Sequence, residues 1–256
     1  MMRATLRLVS LSLLLGVGLA ACVGVSQTPY VDPSAPVAPG AQTLTRCPGA
    51  TVPASDGLID DFEDGNNQVM TMGERDGYWW ISKDALGTTV TEPEDAFKPA
   101  EGGPPGTGSA MALHVKGHTV AKGDQGWGVE IGGNFMAQNG GLYDASRYAG
   151  ISFKARVGDA HSTRALRVNV PDVNTHQIAG VCKTCWNHFR KDFTLTTEWK
   201  EYRLMFTELA QRPGWGDPRP AHVTAGQTIS LSFAMGGVES DFDLWVDDIQ
   251  FLECKK

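Results

Sequence analysis

The chain has 256 residues, with 22 basic and 29 acidic side chains and a formal net charge of −7. That length supports one sizeable core plus appendages. The acidic balance lacks the basic stripe a nucleic-acid partner would require, and it argues equally against adhesion of the folded part to an anionic membrane surface.

The first 22 residues stand apart from the core. Arg3 and Arg7 precede the apolar run Leu8 to Leu19, which closes on Ala20-Ala21-Cys22. This is a leader pattern, too short and too soon followed by Pro-rich sequence to be a membrane span. Leu19-Ala20-Ala21-Cys22 resembles a bacterial lipoprotein box, which implies that Cys22 becomes the lipidated N-terminus. With Val23 and not Asp after it, the resemblance implies the outer membrane of a Gram-negative cell. The alternative is an ordinary cleaved secretory signal with a chance cysteine. An acyl chain anchors a protein without spanning the bilayer. Residues 23–46 are rich in Pro, Ser, Ala, Gly and Thr, cannot bury a core, and read as a tether. The expected product is exported, lipid-anchored to the cell envelope and monomeric, with its folded domain at 47–256.

Four cysteines remain after Cys22: Cys47, Cys182, Cys185 and Cys254. An even number in an exported chain suggests two disulfides. Three pairings are open. Position in the chain favours Cys47–Cys254, clasping the domain ends, with Cys182–Cys185 as a local staple.

From Asp56 onward, short apolar-alternating runs are separated by Gly, Pro, Asn and Asp turns. Predicted strands are 78–81, 88–91, 110–115, 126–135, 150–156, 166–170, 189–195, 201–206, 228–235 and 242–252. Ile151/Phe153/Ala155 alternate with Ser152/Lys154/Arg156, as do Leu166/Val168/Val170 with Arg167/Asn169. One short helix is predicted at Phe206–Gln211, stopped by Pro213-Gly214. The last strand changes parity between Leu244/Val246 and Ile249/Phe251, which predicts a β-bulge at Asp247-Asp248. Two acids in an apolar strand need partners. A second acidic cluster, Asp60-Asp61-Phe62-Glu63-Asp64, is expected to meet them where the domain ends come together. Many short strands of this kind mean an all-β sandwich or barrel in a single domain. The Gly132-Gly133 and Gly140-Gly141 pairs read as turns or bulges and not phosphate cradles, because no helix follows them.

Leu58-Ile59-Asp60-Asp61-Phe62-Glu63-Asp64-Gly65, Gly77-Tyr78-Trp79-Trp80, Trp127-Gly128-Val129-Glu130-Ile131, Tyr143 to Phe153, Thr197 to Tyr202 and Leu244 to Ile249 together carry a resemblance. Over Asp56 to Leu252 the chain resembles a galactose-binding-domain-like jelly-roll β-sandwich, similar to family 11 carbohydrate-binding modules, in a myxobacterial-type lipoprotein. The resemblance implies a polysaccharide or oligosaccharide partner of β-glucan type and binding without catalysis. It also implies a structural calcium between the first and last strands, for which Asp61, Glu63, Asp247 and Asp248 are the candidate ligands. The alternative for these acids is hydrogen bonding to backbone amides or to Arg75.

Sugars are taken by exposed aromatic rings and by polar side chains on a concave sheet face. Tyr78, Trp79, Trp80, Trp186 and Trp215 are the aromatic candidates, though alternation forces at least one of Tyr78-Trp79-Trp80 into packing. Arg167, Asn169, Asp172, Asn174 and His176 are the polar candidates. Trp127, Trp199 and Trp245 are expected to be structural. Cys182-Lys183-Thr184-Cys185 lacks the following His of a haem site and the strand-to-helix context of a redox motif; zinc would need thiolates and more ligands, with His176 and His188 nearby. A disulfide holding Trp186 and His188 is the expectation. No nucleophile motif is present. Glu130 with Glu239 or Asp241 is the residual acid pair for a hydrolase. A cell-envelope structural or protein-interaction lipoprotein without sugar binding is the reading from another class.

Overall fold

A computed structural model describes residues 44–94, 96–120, 126–137 and 140–256. The leader, Cys22 and nearly all of the tether lie outside the described residues. Fourteen strands are present among those described: β1 (Thr51–Asp60), β2 (Arg75–Asp76), β3 (Trp79–Lys83), β4 (Thr89–Glu92), β5 (Ala100–Glu101), β6 (Met111–Thr119), β7 (Val129–Asn134), β8 (Met136–Ala137), β9 (Gly150–Val157), β10 (Ala165–Val170), β11 (Phe189–Thr194), β12 (Lys200–Met205), β13 (Ser230–Met235) and β14 (Ser240–Cys254).

Twelve of them form two stacked sheets, a sandwich as the strand pattern leads one to expect and a jelly roll as the resemblance implies, while β2 and β8 pair in a small third sheet. One sheet runs β12-β9-β14-β6-β4, with β1 added to β14 and β5 to β6; the other runs β11-β10-β13-β7-β3. All the pairings are antiparallel. Alternation sends Leu113, Val115, Phe153, Leu244 and Val246 from the first sheet against Val168, Ile131, Leu231 and Phe233 from the second, and all are fully buried.

The last strand organises the first sheet. β9 lies along one side of it, from Leu244 to Leu252. On its other side β6 pairs with Ser240–Val246, and β1 takes over from Ile249 to Cys254. The changeover falls at the predicted bulge: the β9 register gains one residue between Asp247 and Gln250, and Asp248 takes φ 47°. Cys47–Cys254 clasps the ends, and Cys182–Cys185 staples its loop.

The prediction omitted β1, β2, β5 and β8. Pro53 and Gly57 weaken the strand signal of β1, and its pairing with β14 shifts register between Pro53 and Leu58. An added strand tolerates such residues because it pairs on one side only. The expected helix shrinks to one 3-10 turn, Phe206–Glu208.

Candidate glycan-binding face

The outer face of the five-stranded sheet is polar. Its cross-strand registers align one row, Arg190–Asn169–Ser232–Gly132–Trp80, and a second row, Asp192–Arg167–Ala234–Glu130–Ser82. Neighbouring rows lie about 7 Å apart, and five strands place the ends of a row about 19 Å apart. In the middle, Glu130 Oε1 accepts from Asn169 Nδ2 at 2.9 Å and from the Ser232 hydroxyl. Arg167 Nε donates to Asp192 Oδ1 at 3.2 Å.

Trp80 lies over this face because β7 has no side chain beneath it. A Cβ on Gly132 would stand 2.2 Å from the indole Cζ2, and the indole Nε1 donates to Asn134 Oδ1 at 2.9 Å. The ring is therefore fixed along its Nε1–Cζ2 edge. The expectation that Trp127 is core is corrected: it is 43% exposed, because Gly128 at φ 85° turns the chain out just before β7. Trp127 lines a cleft of about 330 Å³ with Arg167, Asp192, Phe193, Ala234 and Gly236. Trp127 thus stands by the Arg167–Ala234 row, and Trp80 on the neighbouring row with Gly132.

No family model and no curated protein sequence matches the chain. Solved structures do. The solution structure of CtCBM11 matches with a TM-score of 0.50 and 15% identity, over 79% of this chain and 99% of that one. The family 11 carbohydrate-binding module from Clostridium thermocellum, in complex with a beta-1,3-1,4-mixed-linked tetrasaccharide, matches with a TM-score of 0.48, 15% identity and the same coverage. A family 30 carbohydrate-binding module matches with a TM-score of 0.44 and 12% identity, over 69% of this chain and 83% of that one. The fold is that of the family 11 modules.

Within this family 11 fold the remaining candidates separate clearly. Trp79 is 2% exposed and packs against Phe62 and Phe97, with Nε1 donating to the buried Asp60 at 2.6 Å; it is the packing member of the Tyr-Trp-Trp run and cannot meet a ligand. Tyr78 is 55% exposed beside the Asn134 end of β7. The Arg167 side chain stands exposed on the outer face, whereas Asn169 belongs to it by register but is buried, its amide donating to Glu130 and Ser232. Asp172 is instead a fully buried cap, accepting from the backbone N–H of Asn174 and of Thr224. Asn174 spends its amide on Thr224 Oγ1. Trp199 and Trp245 flank Arg156 on the opposite sheet, where Trp245 also stacks on His114 at 3.9 Å. Glu130 stands on β7, where it accepts from Asn169 and Ser232, and Asp241 on β14 of the other sheet, 2.7 Å from His118 Nδ1.

Of the four candidate calcium ligands, Glu63 and Asp247 meet. Ser109 Oγ lies 3.1 Å from Glu63 Oε1 and 2.7 Å from Asp247 Oδ2, and Glu63 also accepts from the N–H groups of Ala110 and Met111. Asp248 pairs with Lys154 at 2.6 Å, and Asp61 accepts from Glu63 N. Among the described residues no group of three or more His, Cys, Asp or Glu side chains converges as a metal cage. Burial pushes the Asp247 carboxyl up to about 7, helped by the charges of Asp248 and Glu63; burial does the same to Asp60. Arg75 is fully buried too, donating to Asp56 and Leu58 carbonyls and to the Tyr143 hydroxyl, so it partners none of these acids.

The stapled loop carries the last candidates. Trp186 is 52% exposed and Trp215 38% exposed. His176 and His188 meet the Trp186 ring at centroid distances of 4.8 and 5.9 Å, and His188 Nδ1 lies 3.0 Å from Thr175 Oγ1. Burial holds both histidines below their ordinary value, His188 at about 3, so both are neutral at pH 7. The sequence missed Trp127, Asn134, Ser232 and Arg190 as parts of the face. Alternation in β7, β11 and β13 could have supplied the last three; only the turn at Gly128 reveals the first.

Proposed function

We propose that this chain binds a polysaccharide or oligosaccharide across the outer face of the five-stranded sheet and does not cleave it. The observation that carries this reading is the Trp80 indole laid on Gly132 within a row of hydrogen-bonding side chains. A β-linked glucan has equatorial hydroxyls and flat, apolar C–H faces, so such a ring takes a sugar face while Asn134, Glu130 and Arg167 take hydroxyls. Trp127 would take a second ring. Calorimetric titration of the protein with soluble β-glucans, xylan, mannan and pectin tests it. Enthalpy-driven binding to the β-glucans that is lost in Trp80→Ala supports the reading; a flat response to every polymer rejects it.

Two further parts belong to the proposal. Structural calcium would draw on Glu63 and Asp247, the pair that meets at Ser109, and would hold the β14 bulge without any catalytic part. Lipidation at Cys22 would tether a monomeric domain to the cell envelope; release of Cys22→Ser into the soluble fraction is the expected result.

A further inference from the structure

Beyond the β11 edge of the polar sheet face, two loops are tied into one framework. Thr184 bridges to Asp217 in both directions, with N···O distances of 3.2 and 3.1 Å. Asn187 is buried between them and donates to the carbonyls of Arg212 and Trp215 at 2.9 and 2.7 Å. The Cys182–Cys185 disulfide closes the turn just before Trp186. Trp186 itself sits at φ 74°, a left-handed conformation uncommon for a bulky residue, fixed by its N–H bond to Thr175 O at 2.8 Å. Strain of this kind persists only where surrounding structure enforces it, and it clusters at ligand contacts. Here it is not offset by burial, since the Trp186 ring is more than half exposed. Trp215, on the partner loop, is exposed as well.

The geometry points to a second glycan-contact site on these loops, in which Trp186 and Trp215 take sugar rings of a neutral polysaccharide running off the β11 edge of the sheet face. The inference rests on the glycan-binding reading and extends it: a short oligosaccharide fills the sheet face alone, whereas a polymer reaches both places. The neutral His176 and His188 leave the Trp186 surface free of histidine charge, which suits an uncharged ligand.

Calorimetry on the intact protein separates the two sites, using mixed-linked β-1,3-1,4-glucan polymer and its tetrasaccharide as probes. Trp186→Ala, and the Cys182→Ser/Cys185→Ser double variant, are expected to weaken polymer binding about tenfold, the worth of one aromatic contact, and to leave tetrasaccharide binding unchanged. Trp186→Tyr restores most of the loss. Trp80→Ala weakens both probes. Undiminished polymer binding by Trp186→Ala, alongside loss in Trp80→Ala, overturns the second site and leaves the sheet face standing. Equal loss with both probes also overturns it, by making the loop part of one site. No binding of either probe to the unaltered protein defeats both readings.

Discussion

Replacing Asp247 with Asn should stabilise the protein at alkaline pH and do little at acidic pH. Asp247 is fully buried, and its carboxyl is raised from the ordinary aspartate value of 3.8 to about 7 by desolvation and by the neighbouring Asp248 and Glu63 charges. A group raised on folding contributes stability that is complete below pH 3.8 and is lost as pH rises through 7. Three units correspond to about 4 kcal/mol lost by pH 8, at ~1.4 kcal/mol per unit. The amide would keep the local bonds: its oxygen accepts from Asp248 N, and its NH₂ donates to Ser109 Oγ, which is then free to donate to Glu63. His188, depressed to about 3 by burial, works in the opposite sense, its contribution present above pH 6.5 and lost as pH falls; it is common to both proteins and cancels in the comparison. Thermal melts in chelator should therefore coincide near pH 4 and separate between pH 4 and 7. The gap at pH 8 should be on the order of 10 °C in favour of Asp247→Asn. Parallel curves, or a variant less stable at pH 8, would refute the reasoning by showing the carboxylate well solvated or paired. Repeating the pH 8 melts with calcium tests the metal proposal separately. A rise in the unaltered protein that Asp247→Asn lacks supports it, and no rise in either rejects it.

Other outcomes follow from single contacts. Gly132→Ala should abolish β-glucan binding measured by affinity electrophoresis while the fold is retained, because the added methyl occupies the space of the Trp80 ring; undiminished retardation would remove Trp80 from the face. Cys47→Ser with Cys254→Ser opens a loop of 207 residues in sequence separation. Chain entropy puts the loss at about 5 kcal/mol, read as a lower urea midpoint. Trp79→Phe strands the buried Asp60 carboxyl, whose Oδ2 accepts from the indole at 2.6 Å. A loss of about 2 kcal/mol at pH 7 is expected from denaturant titration, shrinking at pH 4 where Asp60 is protonated.

The sandwich was legible because its central strands carry period-two alternation over six to eight residues, and no other element type satisfies that pattern. The bulge was legible too: a parity change between Val246 and Ile249 has few explanations in a strand, and the structure uses it to hand β14 from β6 to β1. What escaped was information held in the neighbours of a residue and not in the residue itself. Nothing in Thr51–Asp60 distinguishes an added strand from a loop until the β14 edge is present to receive it. The same holds for the aromatics. Parity alone requires one of Tyr78, Trp79 and Trp80 to face inward, but the choice of Trp79 depends on Asp60 awaiting its N–H, and the pose of Trp80 depends on a glycine four strands later in the chain. Trp127 fell inside the predicted strand 126–135, but the strand starts only at Val129, after a positive φ at Gly128. Strand parity therefore assigns faces where both flanking residues are extended, and it loses that power one residue beyond a turn. The candidate ring Trp127 lies one residue before such a turn, which is why the fold could be read further than the face it carries.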